Sequence, residues 1–168
     1  VPPIDYRVNR CFCVTYVKKG MGNQMESELK SVDFLQDIPV KELICSALEA
    51  RKKAYAPYSG YMVGAAVLTN ELRIYTGCNI ENASYTPTIC AERTAIAKAV
   101  SEGWRKLKAI AVVGSEQGDM VSQYAFPCGV CRQVIREFAG EQFIVIVAKS
   151  ESDYKIYRLC ELLPESFG

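Results

Sequence analysis

Two short segments, Cys90-Ala91-Glu92 and Pro127-Cys128-Gly129-Val130-Cys131, restrict the folds open to this chain more than anything else in it. They carry three thiols that must converge if they are to act together, in a sequence that contains no histidine at all. Three thiolates give a divalent zinc three ligands and leave one tetrahedral position open, which separates a catalytic site from a closed four-ligand structural one. A water in that position is drawn toward hydroxide near neutral pH. Glu92 lies two residues beyond Cys90, so fixing the thiol also fixes a carboxylate beside that water. With no imidazole in the chain, a carboxylate is the natural proton carrier.

The lack of histidine removes competing chemistries. No Ser-His-Asp or Cys-His nucleophile, and no HExxH protease, can be built here. Three cysteines can also be buried small hydrophobes, and a lone CxxC is as readily a packing or redox pair. The CAE and PCxxC segments together favour a zinc-hydrolytic site. Cys78 is the other cysteine to weigh as a ligand, because a fourth thiolate would close the site and make it structural. It ends an apolar stretch just before Asn79, where a buried thiol is the simpler reading. Cys45 and Cys160 read as packing residues, and Cys11 and Cys13 receive no function.

The chain has 168 residues, 49% of them apolar, which is enough for the core of one domain. Its formal net charge of +1, without basic stripes, gives no electrostatic footprint for a nucleic acid polymer. A small, weakly charged substrate fits better. No apolar run approaches the roughly 20 residues that span a bilayer, and no signal peptide precedes Tyr55, so the eight cysteines point to a reducing, cytoplasmic location and not to a disulfide framework.

Residues 1 to 36 differ in character, mixing Cys11-Phe12-Cys13 with Lys18-Lys19-Gly20-Met21-Gly22 and showing no helical or alternating period. They read as an N-terminal extension of unknown role, followed by one catalytic domain over 37 to 168. Asp37 is expected to cap a helix with Pro39 in its first turn and Val40, Leu43, Ile44, Ala47 and Leu48 along its buried stripe, ending near Ala54. Val63–Thr69 and Leu72–Cys78 read as a strand pair turning at Asn70-Glu71, asparagine being tolerant of positive φ. Cys90–Val100 and Cys128–Phe138 read as helices, and Ala109–Gly114, Phe143–Lys149 and Tyr154–Arg158 as strands. Strand, helix, strand over 109 to 149 implies a right-handed parallel crossover. Cys90 and Cys128 then both begin helices, where unpaired N–H groups and the positive dipole end favour thiolates.

The surrounding segments carry a wider likeness. Tyr55-Ala56-Pro57-Tyr58-Ser59, Val63-Gly64-Ala65-Ala66, Gly77-Cys78-Asn79-Ile80-Glu81-Asn82-Ala83-Ser84-Tyr85, Ile89-Cys90-Ala91-Glu92-Arg93-Thr94-Ala95, Pro127-Cys128-Gly129-Val130-Cys131-Arg132-Gln133 and Glu161-Leu162-Leu163-Pro164 together resemble the small cytidine deaminases of pyrimidine salvage. The resemblance runs from about Asp37 to Gly168, and Met25 stands near where family members begin. It implies an α/β fold: a three-layer mixed β-sheet of about five strands with helices on both faces. It also implies one Zn²⁺ held by Cys90, Cys128 and Cys131, hydrolytic deamination of cytidine and deoxycytidine, and a homotetramer. Glu92 would then carry a proton from the activated water to N3 of the pyrimidine, and another to the departing amine.

The resemblance extends to residues around the substrate. Backbone groups near Ala91 and Cys128 would hold the base edge, and Arg93 would partner the ligand sulfurs and offset the −1 charge of a three-thiolate zinc; a surface salt bridge is its alternative. Asn79 and Glu81 resemble the pair that binds the ribose 3′-hydroxyl, though an Asx-type loop explains them equally in isolation. Ala83 and Tyr85 resemble residues that reach a neighbour's 5′-hydroxyl, and Phe167 an aromatic that covers the base in another subunit. Core packing is the alternative for Tyr85 and Phe167. Three positions depart from the family: Tyr61 where phenylalanine usually faces the base, Met62 where proline is usual, and Phe126 where serine is common. Two other functions stay open, a structural zinc module that binds a protein partner, and a deaminase of a polynucleotide or an unusual nucleoside antibiotic.

Overall fold

The computed structural model describes the backbone of residues 16–18 together with residues 35, 37–164, 166 and 167. Cys11, Cys13 and Met25 therefore lie outside the described residues. Among the described residues six strands form one mixed sheet in the order β1-β6-β5-β4-β2-β3. These are β1 (Tyr16–Lys18), β2 (Tyr61–Thr69), β3 (Ile74–Cys78), β4 (Leu107–Glu116), β5 (Ala139–Ala148) and β6 (Tyr154–Arg158). The chain thus contributes one strand more than expected, β1 pairing antiparallel to β6 at the sheet edge.

The central strands β4 and β5 pair in parallel, with Ala109 opposite Ile144 and Val112 opposite Val147. Both are runs of β-branched and small apolar residues, the composition a strand takes when both of its faces are covered. Helix α3 (Gly129–Phe138) makes the crossover between them. All other neighbours are antiparallel.

Alternation along the strands divides the core into two layers. On one face Ala66, Leu68, Ala111, Val113, Ile144 and Ile146 pack on Leu43, Ile44 and Ala47 of α1 (Val40–Arg51). On the other, Ala65, Val67, Ile110, Val112, Val145 and Val147 pack on α2 (Ala91–Ser101) and on Ile135 of α3. The three-layer arrangement expected from the sequence is the one found. Glycine permits two of the closest approaches: a side chain on Gly64 would overlap the α1 backbone at Ala47 and Arg51, and one on Gly77 the α2 backbone at Ala91 and Ala95. The second of these seats the first turn of α2 against β3.

Two local expectations are corrected. Asp37 does not cap α1; it sits at φ 71 and Pro39 takes the N-cap position without a side-chain hydrogen bond. The β2–β3 turn places its positive φ on Leu72 at 61° and not on Asn70, because Thr69 is bridged to Arg73 in both directions and the connection is longer than a two-residue hairpin. The last turn, α4 (Leu159–Leu162), follows β6 directly. Among the described residues no helix is long and apolar enough to cross a membrane.

Candidate active site

Cys90 and Cys128 occupy the N-cap positions of α2 and α3, both in extended backbone, and Cys131 lies in the first turn of α3. The two helix starts meet, so the three sulfurs lie within 4.8 Å of one another, with 3.9 Å between Cys90 Sγ and Cys128 Sγ. Ligands about 2.3 Å from a tetrahedral zinc stand close to that far apart, so the donor set fits the ion in number, type and spacing. Among the described residues this is the one such group of potential ligands. Cys78 is not part of it: its Sγ donates to the Lys53 carbonyl at 3.3 Å, which removes the closed four-thiolate reading. Cys160 is disulfide-bonded, where packing alone was expected.

The electrostatics follow from burial and from the thiols' mutual contacts. The Cys90 thiol is pulled down to about 5, first by its hydrogen bond with Cys131 and then, against the effect of burial, by Arg93 and Cys128. Cys131 is driven upward by the same bond, by burial and by the charge of Glu92. Arg93 reaches Cys90 Sγ at 3.9 Å, and the same nitrogen donates to the Thr88 carbonyl at 2.7 Å. Among the described residues it makes no surface salt bridge. Arg132, one position past Cys131, donates to the Pro127 carbonyl at 2.8 Å and the Leu162 carbonyl at 2.6 Å, locking the loop that carries Cys128 to α4.

Glu92 is 3% exposed, in the first turn of α2. Burial pushes its carboxyl up to about 7, and the Cys90 thiolate adds to that, against a hydrogen bond with Cys131 and the Arg93 charge. A carboxyl in this state gives and takes a proton near neutral pH. Ala91 is fully buried beside it.

A second group forms around Ile80, which bridges the Tyr55 segment on one side and Ile89 on the other. This carries Asn79 and Glu81, both buried, alongside the segment leading to Cys90. The Asn79 amide donates to the Tyr61 carbonyl and accepts from Val63 N–H, both at 2.8 Å. Glu81 accepts from Tyr58 N–H at 2.9 Å, Ser59 N–H at 3.2 Å and the Ser59 hydroxyl at 2.5 Å. The pair is therefore neither an Asx turn nor a solvated charge. The Tyr61 ring lies against Gly114, its phenol raised by burial and then by Glu116. Phe126 turns its ring edge-on to Tyr157 at 5.5 Å. Ala83 is exposed, and Tyr85 and Phe167 are 69% and 77% exposed, so neither ring packs in the core. Ser59 had no role in the sequence reading.

Paired helix starts that present three thiols beside a buried carboxyl, on a mixed sheet of this order, define a zinc-dependent hydrolytic site of the deaminase type. The family described as the cytidine and deoxycytidylate deaminase zinc-binding region matches residues 39–147. The chain belongs to that family, and its cofactor is zinc. A cytidine deaminase from Sporosarcina psychrophila is 46% identical over 77% of this chain and 91% of its own length. One from Mycobacterium tuberculosis H37Rv is 37% identical over 80% of this chain and 93% of its own. The crystal structure of the Burkholderia pseudomallei cytidine deaminase superposes with a TM-score of 0.68 at 43% identity, covering 75% of this chain and 97% of that one.

Proposed function

We propose that this chain hydrolyses the exocyclic amine of cytidine and deoxycytidine, giving uridine and deoxyuridine with release of ammonia, in pyrimidine salvage. The observation that carries the reading is the convergence of Cys90, Cys128 and Cys131 beside the buried Glu92. Those three thiols are the zinc ligands in this reading. When bound, zinc supplies Lewis-acid activation of a water near neutral pH. Glu92 takes one proton from that water and delivers it to N3 of the ring; once the water oxygen is bonded to C4, it takes the second proton from that hydroxyl and gives it to the amine, so that the C4–N bond breaks, ammonia leaves and C4 becomes a carbonyl. Backbone groups of Ala91 and Cys128 hold the base edge, and Arg93 compensates thiolate charge at Cys90. The Phe126 departure costs nothing here, because a backbone carbonyl suffices to receive the amine.

Asn79 and Glu81 take the sugar 3′-hydroxyl, and Tyr61 faces the base. One domain of this size gives too little wall to enclose a nucleoside, whereas small-molecule pockets usually bury most of their ligand. The exposure of Tyr85 and Phe167 supports a homotetramer of closed symmetry in which these residues and Ala83 complete a neighbour's site. The three free thiols of the site support a cytoplasmic location, against which the Cys160 disulfide counts. Residues 37–168 form the catalytic domain and 1–36 an extension.

The test is incubation of the zinc-loaded protein with cytidine, deoxycytidine and adenosine, following absorbance and ammonia. Turnover of the two pyrimidines and not of adenosine is expected. Absence of pyrimidine turnover would refute the reading.

A further inference from the structure

The acceptor capacity of Glu81 is largely consumed by the protein itself. A carboxylate offers about four lone-pair sites. Its Oε2 takes the N–H groups of Tyr58 and Ser59, and Oε1 takes the Ser59 hydroxyl, so the remaining capacity lies on Oε1, next to that hydroxyl. The Ser59 Oγ in turn accepts from Tyr61 N–H at 3.0 Å. Tyr61 is thus gripped at both ends of its backbone, its N–H by Ser59 and its carbonyl by the Asn79 amide. One hydroxyl joins the carboxylate read as the sugar acceptor to the residue read as facing the base.

We propose that Ser59 is a positioning residue for nucleoside binding, whose hydroxyl orients Glu81 Oε1 toward the sugar. This rests on the sugar role given to Glu81 above. The geometry gives Ser59 little freedom to do otherwise: its single proton is committed to Glu81 and one of its two lone pairs to Tyr61, and Glu81 is 9% exposed. The carboxyl is also held below its usual range, first by the Ser59 hydroxyl and next by Tyr58 N–H, so it stays an acceptor. Without the hydroxyl, Glu81 keeps two backbone donors on Oε2 but nothing fixes Oε1. A sugar hydroxyl then meets an acceptor whose direction is no longer set.

The experiment compares Ser59→Ala, Ser59→Thr and Glu81→Gln with the native zinc enzyme. It measures kcat and KM for cytidine and the inhibition constant of 3′-deoxycytidine, which lacks the hydroxyl at issue. Ser59→Ala is expected to raise KM for cytidine about tenfold with kcat nearly unchanged, and to leave 3′-deoxycytidine binding nearly unaltered; Ser59→Thr, which keeps the hydroxyl, should behave as native. Equal weakening toward both nucleosides, or a lowered unfolding midpoint with no change in KM, would overturn the proposal and leave Ser59 a turn residue. If Glu81→Gln alters the ratio of the two constants and Ser59→Ala does not, the proposal fails and the sugar reading stands. If neither alters it, the sugar reading itself fails. Should Ser59→Ala not fold, Ser59→Cys, a weak donor, replaces it with the same expected ordering.

Discussion

At Glu92 two opposing demands meet: the carboxyl must be buried to keep bulk water away, yet must exchange protons at neutral pH. Burial, with the charge of Cys90 adding to it, raises the carboxyl to about 7, far enough to do both. Glu92→Gln is nearly isosteric and cannot carry a proton. It is expected to retain zinc and the native unfolding midpoint while kcat falls about a thousandfold or more, since one residue serves several proton transfers and each such role is worth a factor of roughly a hundred to ten thousand. Metal analysis and steady-state kinetics on the same preparation check this, and near-native kcat would assign the cluster a structural role. The thiols and Glu92 were legible in the sequence because the spacing within each segment already puts them at a helix start. Ser59 was not: its hydroxyl meets a carboxylate 22 positions away, and only the bridges around Ile80 bring the two together.

At the scale of elements, the loop between β4 and α3 has its anchor in Tyr124. Its hydroxyl donates to Asp153 just before β6, and Lys149 and Lys155 each stand 4.4 Å from its ring centre. The bond holds the Asp153 carboxyl below its usual range and pushes the Tyr124 phenol up to about 12. The depressed carboxyl contributes stability above its unfolded value, lost as pH falls through the lower folded one. The raised phenol contributes below its unfolded value, lost as pH rises toward about 12. Tyr124→Phe should therefore lower the unfolding midpoint at neutral pH, and the gap from native should shrink as pH falls through the lowered range of the Asp153 carboxyl and as pH rises toward about 12. A gap independent of pH would contradict this anchor. Helices and apolar strands were readable from their periods, to within a few residues at each end. What escaped was set by backbone geometry: Asp37 offers a capping side chain but adopts positive φ, and Leu72, against its preference, takes the left-handed residue of the turn.

Across the whole molecule, the sheet and its two helical layers form a complete core, yet Tyr85 and Phe167 stay outside it. The sequence left core packing and a subunit border equally open for these rings; their exposure removes core packing. The Gln133 amide donates to the Phe167 carbonyl at 3.2 Å, so the tail is tethered to the ligand-bearing helix while its ring projects away. Ending the chain before Phe167 is expected to raise KM for cytidine more than it lowers the unfolding midpoint, and light scattering should find a tetramer. A fully active monomer would refute the shared-site account. The sequence did not disclose β1, because three residues in an irregular segment carry no period and become a strand only by pairing with β6.

The central claim is that three thiols and one carboxyl make this chain a zinc-dependent nucleoside deaminase. Titrating zinc into the metal-free protein while following cytidine absorbance tests it most directly. Activity is predicted to rise in proportion and level off at one zinc per chain, with Cys90→Ala neither retaining the metal nor gaining activity. A fully loaded native chain without turnover, or a Cys90→Ala variant that keeps zinc and activity in full, would contradict it.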